Sequence, residues 1–196
     1  MLVGALVGAM AGAGGAAGCR PLLADRAWWW LAPAGAVLGG LTGLSVAGGW
    51  WVAVAFAIVA GAAPVLATVD VLVHRLPFAV TVPVGVTSLG CLVGEAITAD
   101  EGDRLVRAVV AAVAVGVVFL VIALVSRGGM GLGDVVLAAV LALSLGWISW
   151  SAVWGGLLAG LVAAAAFAAI ARCRSHERFP LGPFLILGWL MIVYFG

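Results

Sequence analysis

Long apolar runs separated by short clusters of charge divide this chain. Residues 1–18 are small and apolar, and Arg20, Pro21, Asp25 and Arg26 then interrupt them. From Trp28 to Thr68 no charge occurs, a run about twice the ~20 residues that one membrane span needs. It reads as two spans broken at Gly48 and Gly49, with Trp28, Trp29 and Trp30 at one interface and Trp50 and Trp51 at the other. Asp70 closes the third span, and a fourth covers Phe78 to Thr98 with Glu95 near its far end, where a structural role at the interface suits it. Asp100, Glu101, Asp103, Arg104 and Arg107 form the next polar cluster, followed by a fifth span over Leu105 to Val125 and by Arg127. Between Gly133 and Ala171 only Asp134 is charged, which predicts a second two-span hairpin, with Trp147, Trp150 and Trp154 marking its turn at the interface. Arg172, Arg174, His176, Glu177 and Arg178 then precede a short last span from Pro180 to Gly196.

The pattern predicts an all-α, polytopic membrane bundle of about eight transmembrane helices, with residues 1–196 forming a single domain. A secretory signal is the competing reading of residues 1–18, and the lack of a basic residue before the apolar run counts against it. Gly4, Gly8 and Gly12, four apart, suit close helix packing.

Composition agrees with the pattern. Hydrophobic residues make up 66% and charged residues 9%, against roughly 25% charged in a soluble domain. The net charge is +1 and no basic stripe exists, so nucleic acid is not expected as a partner. Cys19, Cys91 and Cys173 lie far apart with no CxxC pair, which supports neither a zinc ribbon nor a disulfide framework. There is no HExxH and no phosphate loop, and neither metal nor cofactor is expected. His74 and His176 sit beside arginines in polar segments and read as solvated surface residues.

With eight spans, the segments after the first, third, fifth and seventh share one side of the membrane. They hold Arg20, Arg26, Arg75, Arg127, Arg172, Arg174 and Arg178, against only Arg104 and Arg107 opposite. The positive-inside rule places the first set in the cytoplasm, and Asp70 and Asp134 with it.

The chain's most informative stretch is Gly128-Gly129-Met130-Gly131-Leu132-Gly133-Asp134-Val135-Val136. Glycines before a helix start allow another backbone to approach Asp134 closely, or allow positive φ. A carboxyl beside bare backbone suggests a site for an extended peptide, while an ordinary acid at a helix N-terminus is the plainer reading. Two carboxyls on one face are the material of aspartic proteolysis: mutual repulsion and desolvation keep one protonated while the other accepts a proton from water. That chemistry needs no metal. The alternative is that Asp70 and Asp134 pair with Arg75 and Arg127 at the interface.

Three segments carry a resemblance: Asp70 with Arg75-Leu76-Pro77, then Gly131-Leu132-Gly133-Asp134, then Phe179-Pro180-Leu181-Gly182-Pro183-Phe184. Together, in this order, they resemble the type IV prepilin leader peptidase family over about residues 50–190. Gly-x-Gly-Asp alone is shared with presenilin-like intramembrane proteases, but those carry a Tyr-Asp pair within a span and a Pro-Ala-Leu motif, both absent here. The resemblance implies a membrane-embedded aspartic endopeptidase of the bacterial cytoplasmic membrane, among membrane lipid, that removes basic leader peptides from type IV prepilins or pseudopilins at the cytoplasmic face. Asp70 and Asp134 would be the catalytic pair. Gly131 and Gly133 would shape the loop presenting Asp134, with Arg75, Pro77, Pro180, Gly182 and Pro183 in supporting positions. The sequence leaves open whether the protein acts alone or as a homo-oligomer.

The chain departs from the family at Phe78, where an acid or amide is usual, and at Val136, where a lysine is frequent. It also lacks the domain with two CxxC pairs found in members that methylate the new N-terminus. A catalytically silent assembly protein of the same fold, a presenilin-like protease with other substrates and a small-solute transporter are the competing classes. The last would place ionisable groups at mid-depth in broken helices, and none stands there convincingly.

Overall fold

A computed structural model describes residues 10, 28–46, 48–73, 76, 78–126, 130–170 and 180–196. Seven helices occur among the described residues: α1 Trp28–Ser45, α2 Trp50–Val73, α3 Phe78–Ala99, α4 Gly102–Val125, α5 Leu132–Ile148, α6 Trp150–Ile170 and α7 Gly182–Phe195. No strand occurs among them. Four of the helices, α2, α3, α4 and α6, are long and apolar enough to cross a bilayer by themselves. At 14 residues, α7 is about 21 Å long and shorter than a full span. The protein is a polytopic helical membrane bundle. The span expected over residues 1–18, and so the eighth of the count, lies outside the described residues.

Both hairpin breaks fall where the pattern puts them. α1 ends at Ser45 and α2 begins at Trp50, and Ser149 alone separates α5 from α6. One expectation at the second break is overturned. Trp147 is not an interfacial side chain; it is 2% exposed, whereas Trp150 and Trp154 are exposed. The α5 stripe Leu137, Leu141, Leu145 is buried all along, because α5 is the central helix, and Trp147 continues that interior packing.

α2 and α5 form the interior, touching helices on several sides, while α4 buries only one stripe, Ala108, Ala111, Val115, Phe119 and Ala123. The remainder of α4 shows valines outward, as expected of a surface whose solvent is lipid. Small residues set the closest helix contacts. A side chain at Gly188 of α7 would collide with the backbone of Gly156 and Gly160 on α6, two small positions four apart.

The α3–α4 link shows how little chain a turn needs. Asp100 takes the left-handed region at φ 56° and the Glu101 amide donates to the Ala96 carbonyl at 3.1 Å, a Schellman closure. Asp tolerates this backbone better than most non-glycine residues. Glu101 then pairs with Arg104 at 3.1 Å on the surface, where an ion pair contributes little.

Charged side chains otherwise close helix ends that their own helices leave open. Glu95 of α3, 5% exposed, accepts the Gly49 N–H at 3.0 Å where α2 begins. Arg107 of α4 donates from Nε to the Gly146 carbonyl at 2.7 Å, and from Nη2 to the Trp147 and Ile148 carbonyls at 2.8 and 3.1 Å. These are the last acceptors of α5, which lack intrahelical donors, and the guanidinium sits at the negative end of the helix dipole. The structural reading of Glu95 fits this geometry, while the part played by Arg107 becomes visible only in the fold.

Arg107→Met leaves three carbonyls without their cation. With charged hydrogen bonds contributing about 1.5–3 kcal/mol each before redundancy, we expect a loss of roughly 2 kcal/mol, read as a lower thermal unfolding midpoint in detergent. Arg107→Lys should recover only part of it, because an ammonium cannot span three acceptors as a fork does.

Candidate active site

Asp70 lies one helical turn before the end of α2 and is 3% exposed. A buried carboxyl needs donors, and one comes from another helix: the Gly182 amide donates to Asp70 Oδ2 at 2.9 Å. Gly182 is the first residue of α7, so its N–H is one of the amides that a helix leaves unpaired at its start. Pro183 beside it has no amide to satisfy and suits the first turn. Asp70 therefore closes the N-terminus of α7 from across the bundle. Glycine at 182 suits this proximity, because a Cβ there would stand 2.8 Å from Asp70 Oδ2 and displace the carboxyl from its bond, while meeting Leu76 Cδ1 in ordinary contact at 3.4 Å.

Asp134 stands in the first turn of α5, after Gly131, Leu132 and Gly133. Its Oδ2 accepts the Gly131 N–H at 3.3 Å while its own N–H donates to the Gly131 carbonyl at 3.1 Å. This is the half of a capping box made by the third helical residue, since glycine has no side chain to return the bond. Its Oδ1 is buried and has no hydrogen-bond partner among the described residues. Such an oxygen is costly unless a further group is to meet it. Asp70 lies within electrostatic reach of Asp134, so two carboxyls from separate helices share one end of the bundle.

Leu76, 6% exposed, is what holds the three segments together. A Cβ on Gly133 would lie 2.6 Å from Leu76 Cβ and 2.7 Å from its carbonyl oxygen, so α5 enters directly against the backbone at Leu76. The same side chain reaches Gly182. Between α2 and α3, Leu76 thus spaces Asp70, the start of α5 and the start of α7. Its neighbours Arg75 and Pro77, expected in supporting positions, lie outside the described residues, as does Arg127. A leucine is unremarkable in an apolar chain, and the sequence signal for Leu76 is its place between two members of one motif.

The two glycines before Asp134 prove to have different reasons. Gly133 answers to the close approach that was expected. Gly131 does not, since it has extended backbone at φ −79° and ψ 145° and a Cβ there would meet only ordinary contacts from 3.5 Å. The expected positive φ is absent from it. Pro180 is half-buried ahead of α7, Phe78 is exposed at the start of α3, and Val136 is half-buried two residues beyond Asp134. No cluster of three His, Cys, Asp or Glu side chains fit to hold a metal occurs among the described residues.

An all-helical membrane bundle with paired carboxyls at one end defines a candidate membrane hydrolase. The sequence profile of the type IV leader peptidase family matches residues 57–172, which include both acids. The chain belongs to the type IV leader peptidase family and is a multi-pass membrane protein of peptidase type. The matched segment ends before the Pro180 to Pro183 element, whose link to the site is the Gly182 bond described above. No curated protein and no solved structure matches the chain.

The contrast between the glycines is testable. Gly133→Ala should lose about 1–3 kcal/mol by overpacking against the Leu76 backbone, whereas Gly131→Ala should stay within about 0.5 kcal/mol of the parent. Thermal unfolding of the two purified variants in one detergent compares them directly.

Proposed function

We propose that this protein is an aspartic endopeptidase that removes the basic leader from type IV prepilins or pseudopilins at the cytoplasmic face of the bacterial cytoplasmic membrane. The observation that carries the reading is the convergence of Asp70 and Asp134, from two different helices, at one end of the bundle, with Asp134 Oδ1 buried and unpartnered. Family membership supports the peptide bond as the target. The arginine distribution supports the cytoplasm as the side.

In this mechanism one carboxyl is ionised and the other protonated. The ionised group takes a proton from a water placed between them as that water attacks the scissile carbonyl carbon. The protonated group donates to the carbonyl oxygen as it gains charge. The carboxyl that took the water's proton passes it to the departing amine nitrogen, the C–N bond breaks as a hydroxyl of the tetrahedral intermediate returns its proton to the other carboxylate, and the dyad again holds a single proton. The Gly182 amide and the Leu76 contact act as positioning elements, holding Asp70 while the substrate exchanges. Leu76 fills the space beside Gly133, so an extended peptide would approach Asp134 on the more open Gly131 side.

Asp70→Asn and Asp134→Asn should each reduce cleavage of a co-expressed prepilin by at least about 10³-fold, read by gel shift at matched membrane levels. Both carboxamides keep an oxygen able to accept the Gly182 or Gly131 amide, so insertion should survive. Cleavage that persists in either variant refutes the dyad. The wild-type rate should fall on both sides of an optimum, at low pH as both carboxyls protonate and at high pH as both ionise, with the limbs belonging to the pair.

A further inference from the structure

Both acids border a helix start, so the helix dipole favours charge at each and does not tell them apart. Their hydrogen bonds do. Asp70 is buried and takes the Gly182 N–H at 2.9 Å, from a buried amide fixed by the first turn of α7. Asp134 takes the Gly131 N–H at 3.3 Å, longer than the usual N–H···O distance of about 2.9–3.0 Å, from a residue exposed ahead of α5. Its other oxygen, Oδ1, is buried and has no partner among the described residues. An ionised carboxylate can only accept, and a bond donated to it is roughly twice as strong as one donated to a neutral oxygen. Charge is therefore best held at Asp70. A buried, charged oxygen without a donor is costly, and a proton on Asp134 Oδ1 removes that cost.

We infer that the two acids have fixed and unequal roles: Asp70 is the ionised member that takes a proton from water, and Asp134 carries the proton of the dyad on Oδ1. The inference rests on the peptidase reading above and adds which carboxyl does what. The Gly182 amide becomes a positioning element with an electrostatic task, since a bond to the charged form of Asp70 favours that form. In the first step Asp70 removes a proton from water, the water oxygen bonds to the scissile carbon, and the carbonyl oxygen takes the proton from Asp134 Oδ1. In the second, Asp70 gives its proton to the leaving nitrogen as the C–N bond breaks, and a hydroxyl of the intermediate restores the proton to Asp134. The other described ionisable groups of the bundle stand away from this pair. Glu95 of α3 binds Gly49 at the opposite end of α2, and Tyr194 binds Thr42 near the end of α1. Cys91 lies about 20 Å of helix beyond Phe78. Asp100, Glu101, Asp103, Arg104 and Arg107 surround the turn that faces the far end of α5.

The test locates the proton without relying on activity. Wild type, Asp70→Asn and Asp134→Asn, each purified with aspartate labelled by carbon-13 at the side-chain carboxyl, are compared near neutral pH by infrared difference spectroscopy. The expected result is a protonated-carboxyl band in wild type that is retained in Asp70→Asn and lost in Asp134→Asn. Any other pattern overturns the inference: loss in both variants makes the proton a property of the pair alone, and the reverse pattern exchanges the roles. A second measurement is kinetic. The Cβ of Gly182→Ala would displace the Asp70 carboxyl from its amide. The charged form of Asp70 then loses a donor, so the acid limb of kcat/KM for prepilin cleavage should move to higher pH by about one unit while the basic limb stays. A merely structural Gly182 would lower the whole profile and move neither limb, a result that also overturns the inference. Failure of the peptidase reading looks different: wild type would then leave the prepilin uncut, while the infrared bands still locate the proton.

Discussion

The amide at the start of α7 is buried, so it must find its hydrogen-bond acceptor within the protein. Asp70 supplies the acceptor from α2, a bond between residues far apart in sequence that fixes where α7 begins. Much of the architecture follows from the same demand repeated. Glu95 meets the start of α2 and Arg107 meets the end of α5. Each of these links pairs a charge on one helix with the end of another that requires its sign: acids at N-termini, a guanidinium at a C-terminus. In a chain with so few charges, their placement at helix ends is a large part of what selects one packing among the many that apolar helices allow. Helices without such links could slide past each other at little cost, since their apolar surfaces are as content against lipid as against protein.

Close contact completes what the charges begin. Gly133 packs on the backbone of Leu76 while Gly182 meets the Leu76 and Asp70 side chains, so the end of α2, the start of α5 and the start of α7 meet around one leucine. At the opposite end Gly146 packs against Ala108 and Ala111 of α4, and Arg107 reaches its three carbonyls from there. The bundle is tied at both ends of α5. Asp134 consequently stands on a helix whose axial position is set from its far end as well as by Leu76 beside it.

How much of this could be read from the chain depended on charge contrast. Asp70, Asp134 and Glu95 stand out because an ionised group in an apolar run is rare, and the two folds of the chain, at Gly48 and Gly49 and among Trp147, Trp150 and Trp154, stand out because runs twice the membrane thickness must fold back. Leu76 and Trp147 were not legible on those terms. Leu76 matters through its backbone and its position, which composition does not encode. Trp147 looked interfacial beside Trp150 and Trp154, yet burial of a tryptophan depends on which way its helix face points, and α5 has buried residues on every face. Gly131 and Gly133 are alike in sequence and differ only in what stands opposite them, so spacing alone could not separate the one that admits Leu76 from the one that does not.

The two acids also differ in what each is asked to hold. Asp70 is built into the fold, capping a helix that is not its own. Among the described residues Asp134 is tied to its own turn through Gly131, and its buried Oδ1 has no partner there. A carboxyl that both stabilises and reacts must keep its structural partner through every protonation state, and a backbone N–H as partner meets this requirement, because it needs only a lone pair, which a carboxylate, a carboxylic acid or a carboxamide all retain. The cap on α7 therefore persists through proton transfer at Asp70. Substituting alanine at position 70 would remove the acceptor together with the acid and confound fold with chemistry, whereas asparagine separates them.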